Sequence, residues 1–482
     1  MEFPEQSGSK GFDFASAAAA AVANEPVRRA ISNAVMRQYT ARRERMRELP
    51  DSEGLRELAS AIRGHVLEHL DYYLEQLQSN VERNGGYVHF AADAAEARRI
   101  VLEIARRAGC RRAIKSKSMV SEEIELDAAM EEAGLEVVET DLGEFILQIS
   151  HDRPSHLCGP VIHKDKASIA KLFSEYFETA YNDDAQALTM QARAHLREKF
   201  RRADLGMTGA NFLVAQTGQV CVVSNEGNAR QSITTPRVLV TLTGIEKVLP
   251  RLADLAVMLK LLARSSTGQQ MTVYTSLFGG PRGAGETDGP DEFHLVLLDN
   301  GRTGILGSEY GDALKCIRCA ACLNACPVYR NIGGHAYGHV YSGPIGAVIT
   351  PLMKGLECYK ELPQASTLCG ACYEACPVKI DIPGYLVRLR REVVGRELGG
   401  KRERLGYRLW AFAMGSAFRY RVFSWLARWM LRRRARGSGW VSRLPGVAGG
   451  WSEVRDLPAP AKRSFRKLWK RKRRTAKDGR HG

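Results

Sequence analysis

The sequence contains no uninterrupted apolar run of about 18 residues, so no membrane-spanning helix is expected. Its start, MEFPEQSGSKGFDFASAAAAAVANEP, holds an Ala-rich stretch but lacks the basic opening and Leu-rich core of a secretion signal, and it reads as a helix. No GxGxxG follows a strand and opens a helix, so no flavin or nicotinamide fingerprint is present. RNA-module motifs with their aromatic stacking signature are missing too, and nucleic acid is not an expected partner. These absences point to a cytoplasmic, reducing compartment, where free thiols can bind metal.

What is present is ordinary in bulk and unusual in one place. With 482 residues, 44% hydrophobic and 26% charged, the chain can fill two or three packed domains without disulfide staples. Of its eleven cysteines, eight crowd between Cys316 and Cys376, while Cys110, Cys158 and Cys221 are scattered. Clustered thiols suggest a metal site. The formal charge of +16 is also local. Residues 401–482 hold 24 Lys and Arg against four Asp and Glu, which leaves the first 400 residues slightly acidic. A cationic segment confined to one end argues for a docking surface rather than a nucleic-acid groove spread over the fold.

Four regions are expected. Residues 1–85 read as helical, since LRELASAIRGHVLEHLDYYLEQLQSNVERNGG repeats apolar residues at three and four and ends on Gly85 and Gly86. Residues 86–300 alternate short β-rich runs (GYVHF, RAIKSKS, LEVVETDL, FILQIS, QVCVVSN, RVLVTLTGI) with helical stretches such as AAEARRIVLEIARRAG, the pattern of an α/β domain with a mainly parallel sheet. Residues 301–395 hold the cysteines. Residues 396–482 form a basic tail rich in Trp and Arg.

The segment CIRCAACLNACPVYR places Cys316, Cys319, Cys322 and Cys326 at intervals of three, three and four, followed by Pro327. Thiolates spaced CxxCxxC can turn inward around one small inorganic core, with backbone amides left pointing at the sulfurs. The proline is expected to send the chain away from the site. A second half, CGACYEACP, supplies Cys369, Cys372 and Cys376. Zinc sites use CxxC knuckles set well apart, a poor match for four cysteines within eleven residues. The spacing resembles bacterial ferredoxins, in which the fourth cysteine of such a run serves the other cluster. Pairing the halves in that fashion puts Cys316, Cys319, Cys322 and Cys376 on one [4Fe–4S] cluster and Cys326, Cys369 and Cys372 on another. The second cluster is one thiolate short, because Ser366 stands where a cysteine is needed. Cys358, Ser366, a solvent species or a labile iron would complete it, and Cys358 is favoured as the softer ligand.

The run CIRCAACLNACPVYRNIGGHAYGHVYSGPIGAVITP, with LCGACYEACPVKIDIP after it, resembles the iron–sulfur B subunits of bacterial lactate utilization complexes. RPSHLCGPVIHKDKASIAKLF, GMTGANFLVAQTGQVCVVSNEGNAR and TGIEKVLP are similar to the domain that these subunits share with a smaller partner, and RDLPAPAKRSFRKLWKRK to their C-terminal region. The resemblance covers nearly the whole chain. It implies an α/β domain related to sugar-phosphate isomerases and CoA transferases, followed by an α-helical two-cluster ferredoxin-type domain and the basic tail. It further implies an electron carrier that works with two other subunits to oxidise L-lactate to pyruvate, as part of a complex rather than as an autonomous enzyme. The alternative is a binding or regulatory protein with structural or sensing clusters.

Further sites are expected from the residues themselves. Asn211, Glu226, Asn228 and Arg230 lie in Gly-bearing turns beside strands, where bare amides can meet an anionic substrate. Lys115, Ser116, Lys117 and Ser118 after a strand form a weaker candidate of the same kind. His151, His156 and His163 share no common face and read as loop residues, while His335 and His339 could tune a cluster through hydrogen bonds. In the tail, Trp410, Phe418, Trp425 and Trp429 stand among arginines. That pattern suits partner docking, or peripheral contact with the inner face of an anionic membrane.

Overall fold

The computed structural model describes residues 11–116, 119–435, 437–446, 449–453 and 455–478. The chain forms two compact units, residues 1–398 and residues 399–482.

The first unit opens with four helices, Phe14–Ala23, Glu25–Arg47, Ser52–Glu68 and Leu70–Arg83. Three start where the sequence offers a cap: Asp13, Asn24 and Asp51 each accept a backbone N–H three residues on. In Glu25–Arg47 the buried positions Ile31, Val35, Arg42 and Met46 recur at helical spacing on one face. The fourth helix ends just before Gly85, which takes a left-handed φ of 86°.

Ten strands follow: β1 Tyr87–Ala91, β2 Arg112–Ser116, β3 Glu136–Glu139, β4 Leu205–Thr208, β5 Phe212–Val214, β6 Gln219–Ser224, β7 Val238–Gly244, β8 Val248–Leu249, β9 Tyr274–Phe278 and β10 Glu292–Leu298. Six of them build a wholly parallel sheet in the order β1-β10-β7-β4-β2-β3. A smaller sheet, β8-β5-β6-β9, pairs β6 antiparallel with both neighbours. The large sheet is covered on both faces. Val240, Leu242 and Val296 pack with Val101 and Ile104 of helix Ala94–Arg107, while Leu239, Leu295 and Leu297 pack with Leu77, Val81 and Ile233. This double cover explains why β10, FHLVLL, is almost continuously apolar.

FILQIS, expected as a strand, lies in helix Leu142–Ile149. Asp141 caps it by accepting from Gly143 N–H at 3.0 Å, and Phe145 and Ile146 face the core formed with Phe173 and Leu196. Local β-propensity was outweighed by the cap and by a helical apolar face.

The sheet also carries a pH sensor of stability. His294 on β10 is buried, with Nδ1 3.1 Å from His89 Nε2 and Nε2 3.2 Å from Glu292. Burial pushes His294 down from 6.5 to about 4, against the pull of Glu292. A depressed folded value means its contribution is complete above pH 6.5 and lost as pH falls toward 4, where the unfolded chain already binds the proton. Urea-unfolding midpoints should therefore fall across that window, with a shallower fall in His294→Gln.

After β10 the chain becomes short helices, and its cysteine module shares one core with the N-terminal helices. Leu323, Tyr329, Tyr337 and Ile349 pack with Ile31, Val35 and Met258.

The second unit holds helices Lys401–Met414, Ala417–Arg434 and Phe465–Asp478 and a two-residue antiparallel pair, Trp440–Val441 with Leu457–Pro458. Helix Ala417–Arg434 buries no residue, and Trp410, Phe418, Trp425 and Trp429 are all more than half exposed. Among the described residues, no helix is long and apolar enough to cross a membrane.

Candidate metal centre

The two cysteine loops repeat one backbone design. Arg318 and Ala320 in the first, Leu368 and Gly370 in the second, all take positive φ, between 54° and 85°. Each left-handed pair curls the chain once and opens a five-residue helix, Ala321–Ala325 or Ala371–Ala375. Three of these positions are not glycine, and holding such residues in that region costs on the order of 1–3 kcal/mol each, the kind of strain that functional sites retain. Pro327 stands at the first turn of helix Pro327–Ile332, where its missing N–H costs nothing, so it continues the path as a helix.

The loops bring the thiols together in two groups. Cys316, Cys319, Cys322 and Cys376 line one pocket, closed by Leu157, Ile317, Ile345, Val378, Ile380 and Ile382. Cys326, Cys369 and Cys372 lie within mutual electrostatic range, and Cys322 is in range of Cys372, so the groups adjoin. Three sulfurs accept backbone N–H groups: Cys316 from Arg318 at 3.4 Å, Cys326 from Tyr329 at 3.5 Å and Cys376 from Ile380 at 3.4 Å. Burial pushes the Cys376 thiol up to about 11 and Cys372 up to about 12. As free thiols they stay protonated at neutral pH, so metal binding must displace the protons. Four inward thiols around an apolar pocket, with amides aimed at sulfur, fit a soft, anionic metal cluster.

The groups differ in depth. The first lies under the segment 153–163, whose Ser155 carbonyl accepts from Tyr329 O–H and would collide with a β-carbon at Gly334. In the second, Cys369 is exposed, flanked by the partly exposed Leu368 and Tyr373. Cys358 is exposed, and its carbonyl accepts from Phe12 N–H at 2.8 Å. Ser366 Oγ accepts from Leu368 N–H at 3.1 Å on the approach to Cys369. Cys158, one of the scattered thiols, stands beside the first group, with Sγ 3.5 Å from the Arg318 carbonyl.

A buried charge network ties the α/β layer to the first group. Arg302 donates twice to Glu123, at 3.0 and 2.8 Å, and once to Glu246 at 2.7 Å. Glu123 also accepts from Tyr341 O–H at 2.5 Å and from Asn300 at 2.7 Å. The other oxygen of Glu246 takes Arg318 at 3.4 Å, and the Arg318 guanidinium lies 4.3 Å over the Tyr341 ring. Burial alone would raise the Glu246 carboxyl, but Arg302, Arg318 and Lys247 together bring it down to about 2. Arg63 clamps the carbonyls of Leu314, Lys315, Glu246 and Val248, fixing the chain just before Cys316. Arg42 and Arg56 similarly donate to the carbonyls of Ala375 and Cys376. None of these positions was expected as functional, although Arg318 lies inside the motif itself.

The other expected residues are dispersed. Asn211 is tied to backbone, accepting from Val223 N–H at 2.9 Å. Glu226 is exposed, with Oε2 3.5 Å from Leu142 N, and Arg230 stacks over Tyr274 at 5.2 Å. Asn228 is buried, and neither end of its amide has a hydrogen-bond partner. Lys115 is fully buried. Although burial disfavours its charge, Asp127 at 2.7 Å and Glu139 at 2.6 Å hold its pKa well above the ordinary value. Ser116 is buried beside it, and Lys117 and Ser118 lie outside the described residues. His156 bonds Asn324 at 3.1 Å, and His151 takes a left-handed turn at φ 49°. His163 joins Asp152 at 2.9 Å and Ser155 at 2.8 Å, with the His335 ring edge-on beside it. That trio could ligate a cation by proximity, but both His163 nitrogens are engaged and Lys164 sits 2.7 Å from Asp152. His339 packs against Tyr341 and Tyr359.

A parallel α/β layer feeding two adjoining, cysteine-lined loops defines a class of protein: an iron–sulfur protein with a dicluster module appended to an α/β domain. Residues 74–298 match the LUD domain family, residues 312–380 the 4Fe-4S dicluster domain and residues 388–474 the lactate utilisation protein B C-terminal family. Lactate utilization protein B of Bacillus licheniformis is 45% identical over 456 residues, covering 94% of this chain and 95% of that one. Its counterpart in Shouchella clausii is 44% identical over the same length and shares of both chains, and that of Bacillus cereus strain B4264 is 45% identical over 445 residues, 92% of this chain and 94% of its own. A solved DUF162 family protein from Deinococcus radiodurans aligns with 48% of this chain and 98% of its own, at 12% identity and a TM-score of 0.27. The chain belongs to the lactate utilization protein B family.

Proposed function

We propose that the chain is the iron–sulfur electron-transfer subunit of an assembly that oxidises L-lactate to pyruvate and allows growth on lactate. The observation that carries this is the pair of adjoining thiol groups, one deep and one at the surface. In this reading Cys316, Cys319, Cys322 and Cys376 hold one [4Fe–4S] cluster and Cys326, Cys369 and Cys372 the other. Each cluster, when bound, accepts and releases single electrons. The protein's share is to seal the deep site from water with Leu157 and the isoleucines, to aim amides at sulfur, and to leave the Cys369 edge open for exchange. Two electrons and two protons leave lactate as pyruvate forms, so a carrier with two one-electron sites matches the stoichiometry.

The lactate-oxidising step is assigned to the assembly with two partner subunits. The α/β layer is read as related to isomerases and CoA transferases, and the helices 401–434, apolar and cationic at the surface, as the face that docks a partner or the inner surface of an anionic membrane. The proposed domains are 1–85, 86–300, 301–395 and 396–482. Anaerobic purification with and without each neighbouring subunit tests the function. Two brown, dithionite-reducible clusters per chain and lactate-dependent reduction only in the complete set are expected, and colourless protein with stoichiometric zinc would end the proposal. Iron counts in Cys358→Ser and Ser366→Ala identify the fourth ligand of the second cluster: whichever variant loses iron names it.

A further inference from the structure

Buried charge beside the first thiol group does not balance within the protein. Arg63, Lys247 and Arg302 are buried there, with the Arg318 side chain 9% exposed, against two buried carboxylates, Glu123 and Glu246. Arg302 and Arg318 are matched by Glu123 and Glu246. Arg63 spends its donors on backbone carbonyls, and one nitrogen of Arg318, Nη1, is buried without a partner. Two cations are therefore left over, and Lys247, Arg63 and Arg318 all lie in electrostatic range of Cys316. On the far side, Arg42 is buried too and in range of Cys319 and Cys376.

Burying uncompensated cations is strongly unfavourable, and a counter-charge brought to the site offsets that cost. A cube of iron and sulfide on four thiolates is such a charge, net negative and more so by one on reduction. The second group differs. Arg330 faces Cys326, but Cys369 opens to water, which screens charge.

We infer that Lys247 and Arg318, the latter paired with Glu246, are positioning residues that raise the reduction potential of the cluster on Cys316, Cys319, Cys322 and Cys376 above that of its neighbour, so that the buried cluster fills first. The inference rests on the two-cluster reading proposed above and adds a direction to it: electrons entering at the exposed edge settle inward, against the α/β layer. It also gives that layer a part in the redox chemistry, since it supplies Lys247 and Glu246.

The test is a redox titration of the anaerobically purified full-length protein, followed by electron paramagnetic resonance, with iron and sulfide counted in parallel. Wild type should show two separated midpoints. Lys247→Met should lower the higher midpoint and leave the lower one in place, and Lys247→Arg should restore it. Glu246→Gln, which removes a negative charge at constant shape, should shift the higher midpoint upward, and it serves should Lys247→Met fail to retain its iron. Two fully loaded clusters whose midpoints are unmoved by either charge change would overturn the inference while leaving the electron-transfer proposal intact. A wild-type chain lacking two clusters would instead remove the proposal beneath it.

Discussion

Cys326→Ser is expected to cut iron and labile sulfide by about half while sparing the cluster held by Cys316, Cys319 and Cys322, its own neighbours in sequence. Cys326 follows Cys322 by only four residues, yet its thiol groups with Cys369 and Cys372 of the other loop. Cys376 makes the reciprocal crossing into the pocket of Cys316, Cys319 and Cys322. Cys376→Ser should therefore remove the deep cluster and Cys326→Ser the exposed one. The paramagnetic signals that survive in the two variants should be complementary, adding up to that of the wild type apart from its cluster–cluster coupling. If the signal left in Cys326→Ser instead matched the one left in Cys319→Ser, each loop would keep its own cluster, and the crossed arrangement would be wrong.

Arg302→Met should be the most damaging single change in the buried charge network that joins the α/β layer to the cysteine module. The side chain donates four hydrogen bonds to Glu123, Glu246 and the Asp299 carbonyl, the three to the carboxylates buried. Its removal leaves two carboxylates without their main partner, a class of change that costs about 3–5 kcal/mol. Both carboxyls are held below their ordinary range, Glu123 chiefly by Arg302 against the opposing effect of burial. Their stabilising contribution is complete above about pH 4.5 and is lost below it, for Glu246 as pH falls toward 2. In the variant the sign reverses for Glu123, because burial is then opposed only by Tyr341 and Asn300 and folding favours its protonation, while Glu246 keeps Arg318. Chemical denaturation at pH 7 and pH 5 should show the deficit shrinking on acidification. A deficit independent of pH would show that lost packing, and not unpaired charge, is the cause.

The module was legible in the sequence because its chemistry is written at short range. Spacings of three fix which cysteines can turn toward one centre, and Gly370 announces one of the tight curls. Its counterpart Ala320 does not, since alanine rarely takes a positive φ and nothing local says that it must. The helical start and the alternating α/β pattern were readable from capping residues and periodicity, whereas FILQIS was misjudged because six apolar-rich residues fit either period. Arg318 was visible between two cysteines, but its partner Glu246, and Arg302 on the other oxygen of Glu246, come from a strand end and a helix distant in sequence. The four substrate candidates could not be grouped from sequence for the converse reason. Chosen from two Gly-bearing turns, they meet different surroundings: Asn211 a strand backbone, Arg230 a tyrosine, Asn228 the interior.

The exchange of Cys326 and Cys376 between loops also has a bearing on biosynthesis. In the crossed arrangement no sulfur-lined chamber would be complete while the growing chain is still short of its second loop, so cofactor delivery would wait for nearly four hundred residues to emerge. Once delivered, each inorganic core would act as a rivet joining segments some fifty residues apart.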